Sequence, residues 1–314
     1  MTTGGSGRPG VRGAGVDRRT VLAGAAGFAG VSAGLVAIGV ARRREPDVAD
    51  PEAFLDRVLG QPGAVPDVRP GPVEHGRFRS TARLGATVPW VLIRPPGRHR
   101  RLPLVVALHG HGGTVAQLLE PRWDLPRFLA AAVADGVPPF AIAAVNGGDT
   151  FWHRRPSGED AGAMVTREFL PMLGGRTRDL RGAPIGLLGW SMGGYGALRI
   201  AGLLGADRVA AVVANSPGLY LDPAQAHPDG FADPAEYRRY SIMERQRDLD
   251  GVSVRIDVGS SDPFAPAVRA YVDGFADGAD LTASFEPGTH TLGYSLRLLP
   301  AELAFLGTHL AARS

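Results

Sequence analysis

Short apolar runs separated by polar, glycine-rich joints dominate the chain from Val73 onward. Leu104–Leu108, Phe140–Val145, Ile185–Leu188 and Val209–Val213 are too short for helices, and their polar faces are missing. Runs of that kind predict strands buried on both sides, as in a parallel sheet. Val252–Val258 and Leu281–Phe285 extend the series with more mixed patterns. Between the runs lie stretches with helical spacing: the segment after Leu108, Glu159–Leu173, Tyr195–Leu204, the stretch holding Asp273, and Arg297–Leu310. Strands alternating with helices at this spacing predict an α/β architecture, a mostly parallel sheet with helices on both faces. Val73–Ser80 and Ala86–Arg94 read as two further strands joined at Arg83-Leu84-Gly85, with Pro89 placing the second at a sheet edge.

Upstream of Val73 the pattern is different. Residues 1–15 are polar and rich in glycine, and Arg18-Arg19 then leads into an Ala/Gly-rich apolar stretch, Ala23–Ala41. A paired arginine ahead of a weakly apolar run resembles a twin-arginine export signal. Residues 1–44 are therefore expected to be a signal or an N-terminal anchor, since Val21–Ala41 is also long enough to cross a bilayer. The protein is expected to be exported and then secreted or held at the cell envelope, with membrane contact confined to residues 21–41. Residues 45–72 hold six prolines and read as a spacer, interrupted by one short helix over Pro51–Leu59. The body is residues 73–314.

Charge sharpens this division. The formal net charge of the 314 residues is +3, yet residues 1–44 carry seven Arg and one Asp, so the remainder is net negative by three. A near-neutral body has no electrostatic footprint for nucleic acid. The basic residues are all Arg, and no Cys is present, which excludes disulfides, thiol catalysis and thiolate metal sites.

The candidate chemistry centres on Gly189-Trp-Ser-Met-Gly193, which follows the Ile185 run and precedes an apolar helix. Strand, sharp turn and helix around G-x-S-x-G form a nucleophile elbow, in which the serine hydroxyl of Ser191 stands clear of the backbone. A serine needs a base, and the base needs a partner that fixes its tautomer. Asp262 lies in the joint after Val252–Val258, and His290 in the joint after Leu281–Phe285. Ser191, Asp262 and His290 thus follow one another in α/β-hydrolase order, each at the carboxyl end of a strand. Asp257 is the rival acid, but its place inside a strand pattern points it at an internal partner instead. The two oxyanion donors are expected to be the N–H of Met192 and an N–H from His109-Gly-His-Gly-Gly113, His111 first and Gly112 second. His-x-His is also a metal pair, but no carboxylate or third His follows nearby, so neither metal nor cofactor is assigned.

Leu108-His-Gly-His-Gly-Gly113, Gly189-Trp-Ser-Met-Gly-Gly-Tyr-Gly-Ala197, Gly259-Ser-Ser-Asp-Pro263 and Gly288-Thr-His290 together resemble the putative-esterase branch of the α/β-hydrolases. That branch includes esterase D, feruloyl-type esterases and secreted mycolyltransferases. The Asp149–Asp160 loop, followed by Glu168-Phe-Leu-Pro171, resembles it too. The resemblance covers Val73 to the C-terminus and implies a serine esterase acting on a small-molecule or envelope ester. It leaves open an acyltransferase that hands the acyl group to a sugar or wall hydroxyl, and a non-catalytic envelope protein on the same scaffold. Residues 215–251 are expected to form a short cap over an open site, with Trp152, Tyr220 and Phe264 lining the pocket.

Overall fold

A computed structural model of the chain describes Met1, residues 58–176 and residues 184–313. Eight strands make one sheet: β1 Val73–Ser80, β2 Ala86–Ile93, β3 Leu104–Leu108, β4 Ala141–Val145, β5 Ile185–Trp190, β6 Val209–Asn215, β7 Ser253–Asp257 and β8 Leu281–Ser284. Their order across the sheet is β1-β2-β4-β3-β5-β6-β7-β8. Pairing is antiparallel from β1 to β4 and parallel from there to β8. This is the α/β-hydrolase arrangement, and the chain from Asp50 onward is a single unit.

Helix α1 is Leu125–Ala134. α2 is built from Ala161–Ala163, a π-helical stretch Met164–Phe169 and Leu170–Arg176. α3 is Met192–Leu204, α4 Pro234–Tyr240, α5 Ala265–Asp273 and α6 Leu292–Ala311. Alternate strand residues divide between two cores, because successive side chains leave opposite faces of a strand. Trp90, Leu92, Val106 and Leu108 join the core with Val165, Phe169, Leu198 and Tyr271, from α2, α3 and α5. Val91, Ile93, Val105 and Ala107 join the other with Phe128, Leu129, Leu299 and Leu303, from α1 and α6. β3, β4 and β6 are buried along their whole length, which is why their sequences show no alternation.

Two expectations change. β2 lies inside the sheet, between β1 and β4, despite Pro89. Pro89 is tolerated because it stands where the β2–β4 ladder ends. Asn146 N–H donates to its carbonyl at 3.1 Å, and the bond lost to the proline ring is the reciprocal one of that last pair. Helix α6 starts at Leu292, more than a turn before Arg297. Thr291 caps it, its hydroxyl accepting from Tyr294 N–H at 3.4 Å, so the helix begins directly after His290.

The signal or anchor expected over residues 1–44 lies outside the described residues, Met1 aside. Of the helix expected over 51–59, residues 58 and 59 are described, and both are helical. The end of the expected spacer is fastened to the body. Gly63 N–H donates to the Gly293 carbonyl at 2.8 Å, and Arg297 Nη1 donates to the Gln61 carbonyl at 2.9 Å. Among the described residues no helix is long and apolar enough to cross a membrane.

Candidate active site

The elbow follows from two contacts. A side chain at Gly189 would put its Cβ 1.9 Å from the Gly193 carbonyl oxygen, and one at Gly193 would put its Cβ 2.0 Å from that of Leu108. Strand β5, helix α3 and the end of β3 can converge only if both positions lack a side chain. Between them Ser191 takes φ 57° and ψ −120°, a backbone state that costs an L-residue on the order of 1–3 kcal/mol. Neighbours hold it there. Its N–H donates to the Asn215 carbonyl at 2.9 Å, and its own carbonyl accepts from Gly218 N–H at 2.9 Å and Tyr195 N–H at 3.1 Å.

The hydroxyl so presented meets His290. Ser191 Oγ lies 2.9 Å from His290 Nε2, and His290 Nδ1 lies 2.8 Å from Asp262 Oδ2. Ninety-nine residues of chain separate serine and histidine; the parallel order of β5 to β8 brings their loops to one end of the sheet. The Asp262 side chain is fully buried, and its second oxygen, Oδ1, accepts from Phe264 N–H at 2.8 Å. An ionised carboxylate can only accept, so Nδ1 of His290 carries the hydrogen and Nε2 is free to accept from Ser191. Two aromatic rings border the imidazole. Trp190 stacks on it at 5.4 Å and 16°, and Phe264 meets it edge-on at 5.2 Å and 73°.

Asp257 does have an internal partner. It is fully buried and makes a bidentate pair with Arg255, Oδ2 to Nε at 2.7 Å and Oδ1 to Nη2 at 3.0 Å. Beside it, buried Glu302 accepts from Asn215 Nδ2 at 2.7 Å, and Ser295 Oγ donates to Asn215 Oδ1 at 3.0 Å. Burial, then the charge of Asp257, holds the Glu302 carboxyl well above the usual carboxylate range. Burial raises Asp257 as well, but the Arg255 hydrogen bonds and charge oppose it. Of the two acids, Glu302 therefore keeps the proton.

In the loop after β3, Gly112 is not available as an oxyanion donor. Its N–H donates to Asp149 Oδ1 at 2.6 Å. That correction leaves His111 N–H, next to Gly110, where a Cβ would lie 3.4 Å from Ser191 Cβ. Met192 is the first residue of α3, so its N–H has no acceptor within the helix. His109 anchors the loop. It is buried, with Nδ1 2.8 Å from the Gly110 carbonyl and Nε2 accepting from Gly147 N–H at 2.9 Å. Burial lowers its pKa, and this neutral ring has both nitrogens engaged, so His109 and His111 form no metal pair.

Trp152, expected at the pocket wall, is 1% exposed. Its ring packs against Gly147 and Gly196, and its indole N–H donates to the His109 carbonyl at 3.4 Å. It supports the loop from behind and has no surface to offer a substrate. Tyr220 and Phe264 are half-buried and meet edge to face at 5.5 Å, and Phe264 borders His290. Sequence reasoning gave no role to Trp190 or Asp149, although both sit in motifs it singled out. The aromatic residue next to the elbow serine was the signal for the first, and an acid closing the loop after β4 for the second.

Residues 82–276 match the model of the putative esterase family. The chain belongs to that family. It is a carboxylic ester hydrolase with the α/β-hydrolase fold. Among solved structures the esterase is similar to a ferulic acid esterase, at 20% identity over 76% of this chain and 98% of that one, with a TM-score of 0.65. It is similar to the S-formylglutathione hydrolase of Agrobacterium tumefaciens, at 20% identity over 78% and 98%, with a TM-score of 0.62. The fluorophosphonate-binding serine hydrolase F of Staphylococcus aureus gives 14% identity over 76% and 99%, with a TM-score of 0.57. No curated protein matches at the level of sequence.

Proposed function

We propose that the esterase works through an acyl-enzyme on Ser191, with His290 as general base and acid and Asp262 as the group that orients it. The observation that carries this is the unbroken chain from Ser191 Oγ through His290 to buried Asp262, at 2.9 and 2.8 Å. Ser191 Oγ attacks the ester carbonyl carbon, and its proton passes to His290 Nε2. Charge on the former carbonyl oxygen is met by the N–H groups of Met192 and His111. His290 then protonates the leaving alkoxide, the alcohol departs, and water repeats the sequence to release the acid. Asp262 stabilises the imidazolium in both halves. Tyr220 and Phe264 form the wall against which the acyl group packs. Arg18-Arg19 and the apolar run after them support export, so that the ester is met outside the cytoplasm.

The test is covalent labelling. The esterase should react with a fluorophosphonate at one residue, Ser191, identified by peptide mass, and Ser191→Ala should lose both the label and ester hydrolysis. A label that persists in Ser191→Ala would put the nucleophile elsewhere.

A further inference from the structure

His111 supplies more than a backbone N–H at this site. Its ring nitrogen Nε2 lies 2.8 Å from Asp229 Oδ2, and its ring is 4.4 Å from that of His227. His227 Nδ1 is 3.9 Å from the same Asp229 oxygen. One ligand atom from each of the three residues lies within 4.8 Å of the other two. His111 stands on the loop after β3, while His227 and Asp229 belong to the segment between β6 and β7, so folding alone makes this cluster. We infer that His111, His227 and Asp229 form a divalent transition-metal site of the zinc class, joining the cap segment to the loop proposed to supply the oxyanion donor.

The donor set is that of three-ligand zinc sites: two imidazoles and a carboxylate, with a fourth position left for water or another ligand. Bonds of about 2.0–2.2 Å in a tetrahedral array place ligand atoms about 3.3–3.6 Å apart. The 2.8 Å pair would need to open and the 3.9 Å pair to close, each by a fraction of an ångström. Zinc binds the bare ring nitrogen of an imidazole. Nδ1 of His227 accepts from the Asp229 N–H at 3.2 Å, so it presents a lone pair on this side. The His227 ring is also held in place by Phe151, stacked at 6.0 Å and 21°. His109, with both nitrogens used inside the fold, is not part of the set. The ring of His111 would bind the metal while its N–H faces the reacting ester. Occupancy would therefore fasten Pro228-Asp229 of the cap to the oxyanion loop.

The experiment is a Co²⁺ titration of chelator-treated protein, followed by the visible d–d absorption of low-coordinate cobalt and by calorimetry, with Zn²⁺ as competitor. One Co²⁺ should bind per chain, Zn²⁺ should displace it, and the thermal midpoint should rise with metal concentration. His227→Gln and Asp229→Asn should each weaken binding by more than about 100-fold, the upper end of what loss of a mere supporting residue costs. Both positions are at the surface or half-buried, and melting curves of the metal-free variants verify their folding. His290→Ala and His75→Ala should bind cobalt as the parent does. Absence of a stoichiometric site would overturn the proposal. So would binding that survives both cap variants, or binding lost in His290→Ala, which would place the metal on the catalytic histidine.

Discussion

The two oxygens of Asp262 make Asp262→Asn a sharp test of the proposed mechanism. Oδ1 is committed to Phe264 N–H, and Oδ2 faces His290 Nδ1, each at 2.8 Å. An asparagine has one acceptor oxygen and one NH₂. The Phe264 N–H can only donate, so it draws the amide oxygen and leaves the NH₂ facing His290. The imidazole must then accept at Nδ1 and carry its hydrogen on Nε2, opposite the hydroxyl it should deprotonate. Turning the amide over would set donor against donor at Phe264, at a cost of about 1–3 kcal/mol for the unsatisfied group. At about 1.4 kcal/mol per decade, the competent tautomer falls to between about one in 5 and one in 150. Loss of the carboxylate charge opposite the imidazolium comes on top. A total fall in kcat on the order of 10⁴ is expected, the size seen for the same change in a serine protease, or about 5.5 kcal/mol of barrier. The assay is kcat and KM on a chromogenic ester beside a melting curve, with Asp257→Asn as comparison. Asp257→Asn should lower the melting point through its Arg255 pair and keep most of its turnover per folded molecule. Asp262→Asn retaining more than a tenth of turnover would refute the reasoning, and so would Asp257→Asn losing turnover with its melting point intact.

Glu302→Gln keeps an acceptor for Asn215 and a donor toward Asp257 but has no proton to lose. With the Glu302 pKa raised in the fold above the ordinary 4.5, the parent loses stability as pH rises from that value to the folded pKa, by up to about 1.4 kcal/mol per pH unit. The melting-point gap between variant and parent should widen across this window by about 3–6 °C per pH unit; a gap that stays constant from about pH 5 to pH 8 would refute a proton held on Glu302. For export, Arg18→Lys with Arg19→Lys keeps the charge but removes the guanidinium pair. The doubly substituted chain should accumulate in the cytoplasm by fractionation, and normal export would rule out a twin-arginine signal.

That Ser191, Asp262 and His290 come together at one end of the sheet was legible in the sequence because each sits in a short joint after an apolar run. The order of the runs carries the order of the joints. The elbow was legible for a related reason: Gly189 and Gly193 mark a place where backbones approach too closely for side chains, and that need is local. Strand periodicity likewise gave the sheet, since β3, β4 and β6 show their burial in unbroken apolar stretches. The position of Pro89 was not legible, because whether its missing N–H matters depends on where β4 ends beside it. Gly112 stood as the second choice after His111 for the same kind of reason; only folding brings Asp149 to the Gly112 N–H and so withdraws it. Trp152 looked like any loop aromatic until packing closed Gly147, Gly196 and His109 around it. His111, His227 and Asp229 share no motif, and their meeting depends on the cap segment folding back to the β3 loop. The sequence alone determines what repeats along the chain or is required by the backbone locally. Contacts between loops that are distant in the chain depend on how far each loop reaches across the sheet, and only the tertiary structure decides that.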